Sequence, residues 1–401
     1  MKRKKKLKKK IKYLFLSIFI LSFISLSINY TISYFSKDSY SFLIKNKESK
    51  KEDVVEEIWP KEYKIDLLAT GDGLIHNLLA MYAEQSDGTY DFSDYLTEVE
   101  DIVKEYDIAY YNQETVFGGE SIGYTYYPRF NTPSAYGDAM LEAGFNTVSI
   151  ASNHSYDRGE VGVLNSVQYW KEKGIMYNGM AESENDRTNY MIMEKNNISY
   201  ALLSYTYSTN GITVPSDKPY LVNVYNDELA KKDIEALRDK VDVLIVAMHW
   251  GVEYTFTPTE IQKTQAQYLA DLGVDIIIGN HPHCIQPIEW KDDTLVIYSL
   301  GNFISNQIQL MSSIGYKGVI GAFAMVDIHK TEHEDGTSEI KLDNLNVDLL
   351  YTHRDMTNKT YKVVPFSKMN STYLPNYKDI YEEYKAVIQK YDQTINVIPT
   401  V

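Results

Sequence analysis

Short, mainly apolar runs punctuate this chain at residues 65–69, 147–150, 201–204, 243–248, 274–278 and 295–299. They are too short for core helices and read as strands buried on both faces. Between them lie segments of helical length, 135–143, 162–173 and 259–271. Each runs up to a glycine, Gly144, Gly174 and Gly273, the residue that best closes a helix in the left-handed conformation. Strands alternating with helices predict an α/β layered fold. Further on, 319–328 and 340–351 read as longer antiparallel strands with a turn around Glu334 and Gly336, and 376–390 as a helix rich in tyrosine and charge. There is no repeat at solenoid spacing.

The pattern changes at the N-terminus. Residues 1–12 carry nine Lys/Arg and no acid, and 13–36 carry no charge at all. About two dozen apolar residues at ~1.5 Å each cross a ~30 Å hydrocarbon core, and the basic flank stays in the cytoplasm. The expectation is a single-pass protein of the cell membrane, with a signal-anchor helix over 13–36 and the bulk of the chain extracellular. A cleaved signal peptide is the competitor, but the apolar stretch is long for one and no A-x-A-like site follows it. Residues 37–62 read as a charged linker, 63–365 as the main folded domain, and 366–401 as a C-terminal helical extension.

The whole chain carries −15, so removing the nine basic residues of the tail leaves −24 on the remainder. Such a domain does not hold nucleic acid, or any polyanion, through a general field, whereas cations are welcome. The single cysteine, Cys284, excludes an intrachain disulfide; beside His283 it is either a ligand or a buried small hydrophobe.

The candidate chemistry gathers at strand ends, where α/β folds present their ligands. In LLATGDGLIHN, Asp72 follows Gly71 and His76 comes four residues later. In DIAYYNQETVFGG, Asn112 and Glu114 stand at i and i+2, on one side of an extended backbone. In TVSIASNHSYDRGEVG, Asn153 offers an amide oxygen, His154 a transferable proton, and Asp157 either orients His154 or closes the turn with Gly159. In VDVLIVAMHWGVEY, His249 ends the most apolar strand, with Glu253 four residues on. In VDIIIGNHPHCIQPIEW, His281 and His283 flank Pro282 and point the same way if extended, which makes half of a transition-metal site. Together Asp72, Glu114, Asn153, His249, His281 and His283 form a mixed O/N set that suits Mn, Zn or Fe. It is too large for one tetrahedral zinc and matches two ions ~3.5–4 Å apart. His154 is then left as the acid.

The ordered series GDGLIH, NQET, SNHSYDRG, HWGVEY, GNHPHCIQPIE and YSLGNF resembles the CapA/PgsA family of capsule (poly-γ-glutamate) biosynthesis proteins. That family resembles a branch of the calcineurin-like metallophosphatases. The resemblance implies a β-sandwich flanked by helices with a dinuclear centre at strand ends. It makes Asp72, Glu114, Asn153, His249, His281 and His283 ligands and His154 the proton donor. Two positions depart from the metallophosphatase pattern. Gly73 and Leu74 follow Asp72 where Asp-x-His is usual, with His76 too late, and Asn112 with Glu114 replaces Gly-Asp-x-x-Asp. Asn302, in YSLGNF, either touches substrate or caps a turn. Arg158 and Arg129 are the cationic side chains nearest the motifs, Arg129 more naturally at the surface.

The function expected is a dinuclear-metal hydrolase or transferase in making or exporting an anionic surface polymer, with a polymer synthase or export complex as its partner. A non-catalytic scaffold partner of a polymer synthase and a secreted, 5′-nucleotidase-like phosphoesterase are the alternatives.

Overall fold

The computed structural model describes residues 59–400; the expected basic tail, the membrane span and nearly all of the charged linker lie outside the described residues. The chain enters the first sheet on β1 (Lys61–Gly73) and adds three parallel strands to it, β2 (Ile108–Gln113), β3 (Thr147–Ser149) and β4 (Met176–Asn178). It then builds a second sheet from β5 (Ile192–Lys195), β6 (Ile198–Thr206), β7 (Val243–His249), β8 (Ile276–Asn280), β9 (Ile288–Lys291) and β10 (Thr294–Ile297), in the order β5-β6-β7-β8-β10-β9. It returns to the first sheet with β11 (Asn302–Ile304), β12 (Ile320–Glu332), β13 (Ser338–Asp355), β14 (Thr360–Pro365) and β15 (Asn396–Val397).

Strand periodicity explains how the layers stack, because successive side chains point to opposite faces. On β7, Val243, Ile245 and Ala247 join Ile65, Leu67 and Ala69 of β1 in one apolar cluster between the sheets. The intervening Leu244, Val246 and Met248 turn outward onto helices Asp227–Leu237 and Glu260–Asp271. Leu68 of β1 turns to the opposite outer face, onto Ala135–Glu142 and Gly159–Lys173. The result is two mixed sheets face to face with helices on both outsides.

The predicted helix ends hold. Gly174 is the left-handed cap of Gly159–Lys173, and Gly144 and Gly273 also have positive φ. The 319–328 and 340–351 runs are the paired strands β12 and β13, joined through Gly336 at φ +84°. β1 is longer than the apolar run 65–69 and begins inside the expected linker. Its first half alternates between exposed and buried, so charged residues there, such as Lys64 paired to Asp327 at 2.9 Å, hide the strand from an apolar-run search. Helix Tyr377–Ile388 places Ile380, Tyr381, Tyr384 and Ile388 in the cluster between the sheets.

This topology gathers the motifs. β1, β2 and β3 run parallel, as do β6, β7 and β8, so their C-terminal ends share one edge of the sandwich. The edge is tight. An added Cβ on Gly71 would lie 1.8 Å from the Gly301 carbonyl oxygen, and one on Gly279 would lie 1.9 Å from that of Tyr298.

Candidate metal centre

The parallel strands deliver polar groups to this edge. Asp72 is the next-to-last residue of β1 and sits in register with Asn112 on β2 and Asn302 on β11. His249 is the last residue of β7, paired with Asn280 at the end of β8. Asn153 and His154 follow β3, and His281 and His283 follow β8. All of these side chains are buried, Asp72 and Glu114 to within 1%.

The structure brings the predicted group together. His249 Nε2 lies 3.0 Å from Asn153 Oδ1 and 3.9 Å from Glu114 Oε1. His283 Nε2 lies 3.7 Å from Glu114 Oε1, and its Nδ1 3.4 Å from Asp72 Oδ2. The His249 and His281 rings are 4.8 Å apart, those of His281 and His283 5.8 Å. One atom each from Glu114, His281 and His283 all lie within 4.8 Å of one another.

One expectation needs correcting. His281 and His283 were expected to converge because the backbone was extended, but both have positive φ, +92° and +53°. The segment is a tight turn, and the rings converge because that turn is pinned: the Asp72 carboxylate accepts the His281 backbone N–H at 3.1 Å, and Tyr254 N donates to the Pro282 carbonyl at 2.7 Å. Positive φ at two non-glycine residues is strained backbone of the kind that functional sites retain. Arg158 does not reach the cluster; its guanidinium donates to the Ile122 carbonyl at 3.2 Å. Arg129 is exposed.

The remaining candidates line the approach. His154 Nδ1 meets Asp157 Oδ2 at 2.7 Å, and Phe130 packs edge-on against the ring with centroids 4.7 Å apart. His154 and His283 open onto a cavity of about 580 Å³ whose walls include His76, Phe130, Glu253 and Tyr254. His76 faces this cavity while its Nδ1 meets the Asn306 backbone N–H at 3.2 Å. Asn302 is neither a plain cap nor a cavity residue: its Oδ1 meets His283 Nδ1 at 3.0 Å while its NH₂ donates to Gln307 Oε1 and Gly318 O. Cys284 is fully buried and apolar in role.

Sequence reasoning missed Asn210 and Tyr207. Asn210 Oδ1 accepts from Asn153 Nδ2 at 3.3 Å, and the Tyr207 ring lies 4.7 Å from that of His281. Both follow β6, whose end carried no histidine or acid to draw the eye; the strand-end rule applied to every strand would have found them.

Electrostatics single out one carboxylate. Burial pushes Glu114 well above the usual carboxylate range. Burial pushes His281 down to about 3 and His249 well below normal, each aided by neighbouring histidines. His283 goes the other way: its burial would lower it, but Glu114 and Asp72 outweigh that and raise it to about 10. Both Glu114 oxygens and His281 Nδ1 are buried without any hydrogen-bond partner, which is rare for native polar groups. A buried His/Glu cluster with these atoms vacant fits a metal ion.

The chain is 28% identical over 260 residues to the capsule biosynthesis protein CapA of Bacillus anthracis, 63% of this chain and 62% of that one. It is 30% identical over 170 residues to the PGA biosynthesis protein CapA of Bacillus subtilis (strain 168), 42% of this chain and 44% of that one. Thus the chain matches less than two thirds of either relative's length. Among solved structures it is similar to the calcineurin-like phosphoesterase YfkN of Bacillus subtilis, with TM-score 0.38 and 16% identity over 70% of this chain and 91% of that one. It is also similar to a 5′-nucleotidase of Candida albicans SC5314, with TM-score 0.38 and 13% identity over 65% and 46%. Residues 66–307 match the family described as bacterial capsule synthesis protein PGA_cap, and the chain belongs to that family.

Proposed function

We propose that this chain is a membrane-anchored extracellular metal-dependent hydrolase or transferase, acting at a phosphoryl or amide centre in the making or export of an anionic surface polymer. The observation that carries the chemistry is Glu114, wholly buried with both oxygens unpartnered beside His281 and His283. An ionised carboxylate so placed costs several kcal/mol unless a counter-charge meets it. One carboxylate with imidazoles is the donor set of a Mn-, Zn- or Fe-type ion. Such an ion, when bound, supplies Lewis acidity and lowers the pKa of water.

The chain's own residues supply the rest. Asp157 holds His154 Nδ1, which fixes the ring and leaves Nε2 to pass a proton to a leaving group in the adjoining cavity. Phe130 N–H also donates to Asp157 Oδ2 at 2.8 Å, locking the orienting carboxylate in turn. The capsule setting rests on the family; the membrane setting rests on the charge-free stretch 13–36 behind its basic flank.

The test is His154→Ala in cells that make the polymer. Loss of polymer at normal membrane abundance of the variant supports catalysis. Undiminished polymer contradicts it and leaves the chain a scaffold partner of a polymer synthase.

A further inference from the structure

The resemblance implies two ions, but the hydrogen-bond inventory divides the predicted ligands into two unequal sets. Each oxygen of Asp72 already has a protein donor. Its Oδ1 accepts from Asn112 Nδ2 at 2.8 Å, and its Oδ2 accepts the His281 backbone N–H at 3.1 Å. The Asn112 amide cannot be turned over without setting its oxygen against Asp72 Oδ1, so the NH₂ orientation is fixed. Its second hydrogen points to His249 Nδ1, 3.4 Å away. His249 therefore carries its proton on Nε2 and donates it to Asn153 Oδ1 at 3.0 Å. The Asn153 NH₂ donates onward to Asn210 Oδ1 at 3.3 Å. Asp72, His249 and Asn153 thus satisfy one another through Asn112 and Asn210.

The second set has nothing. Glu114 Oε1 and Oε2 and His281 Nδ1 are buried without partners. His283 joins them by elimination. The Asn302 NH₂ is committed to Gln307 and Gly318, so its Oδ1 must accept from His283 Nδ1, which leaves Nε2 bare on the Glu114 side. Asn112 Oδ1 is also unpartnered, but a neutral oxygen adds no charge towards a second divalent ion. The vacant set holds one carboxylate, and Glu114, His281 and His283 each offer one ligand atom within 4.8 Å of the others, close enough that a small inward shift of the side chains sets all three on one ion at ~2.1 Å.

We infer that the centre is built for one resident cation on Glu114, His281 and His283, and that Asp72, Asn153 and His249 are a hydrogen-bonded wall that positions those ligands. Asp72 is a positioning residue: it holds the turn carrying both histidines through the His281 N–H. This inference rests on the metal-centre reading above.

The experiment counts metal in the full chain, purified in detergent, loaded with excess Mn²⁺ and desalted. Plasma mass spectrometry gives one ion per chain, and low-temperature electron paramagnetic resonance gives an uncoupled Mn²⁺ spectrum. Asp72→Asn keeps that one ion, bound ~10–100-fold more weakly as for a lost supporting contact, while Glu114→Gln keeps none. If Asp72→Asn does not fold, His249→Gln carries the same test and also retains one ion. Two ions per chain with a coupled spectrum overturn the inference and leave the metal-centre reading standing. No ion in the unmutated chain overturns both. A folded Asp72→Asn that holds none makes Asp72 a ligand and overturns its positioning role.

Discussion

His154 and Asp157 face each other across a single turn, with Nδ1 and Oδ2 2.7 Å apart and both side chains buried. That contact fixes which imidazole nitrogen is free, and hence what substitution does. If the chain is the proposed hydrolase acting at phosphoryl centres, with His154 as its proton donor, His154→Ala is expected to lower turnover of a phosphodiester with an alkyl leaving group about 10²–10⁴-fold. A p-nitrophenyl diester, whose leaving group departs without a proton, loses far less. Asp157→Asn follows the same divided pattern with smaller losses. Equal losses on both substrates in steady-state assays would show that His154 has another role.

Asn302 is the acceptor that orients His283. Asn302→Leu removes it and leaves Asp72 Oδ2, 3.4 Å away, as the nearest alternative for Nδ1. Metal affinity measured by titration calorimetry is expected to fall about 10–100-fold, with the fold retained by circular dichroism. Unchanged affinity would return Asn302 to the role of a turn cap.

Asp348 on β13 gives a pH signature away from the centre. Burial raises its carboxyl from 3.8 to about 6, against the opposing hydrogen bonds from Ser367. The folded chain thus binds this proton more tightly than the unfolded chain. The stability it contributes is complete below about pH 3.8 and is lost as pH rises through about 6. Asp348→Asn removes that loss, so near neutral pH the variant should gain on the order of 2–3 kcal/mol, with the gain vanishing in acid. Urea unfolding across this range checks the sign; a gain that grows towards acid would refute it.

Gly71 is where β1 passes closest to the segment leading into β11, and Asp72 N donates to the Gly301 oxygen at 3.0 Å. Gly71→Ala would drive a Cβ to 1.8 Å from that same oxygen, so the backbone must move. A loss of at least ~1–3 kcal/mol is expected, seen as a lower melting temperature. An unchanged melting temperature would mean that the strand end is free to yield.

The fold was legible wherever strands are buried on both faces, because Val243 through Met248 admit no amphipathic reading. It was less legible in half-exposed strands. β5 and β6 join through Asn196 and Asn197, both at positive φ, a hairpin signal that the search for apolar runs passed over. Motif residues were legible because each sits at the end of a parallel strand, and parallel pairing puts those ends together. Their division into vacant and satisfied sets was not, since it depends on which amide faces which carboxylate, as Asn112 does Asp72. Nor was the backbone of His281 and His283, where tertiary contacts override the extended form that Pro282 suggested.

The most direct test of the account is anomalous diffraction, at the metal's absorption edge, from crystals of the chain grown with Mn²⁺ or Zn²⁺. The account predicts a strong difference peak bounded by Glu114, His281 and His283, within coordination distance of all three. Crystals that bind the metal only elsewhere, or show Glu114 paired to a protein donor with no peak beside it, would contradict it.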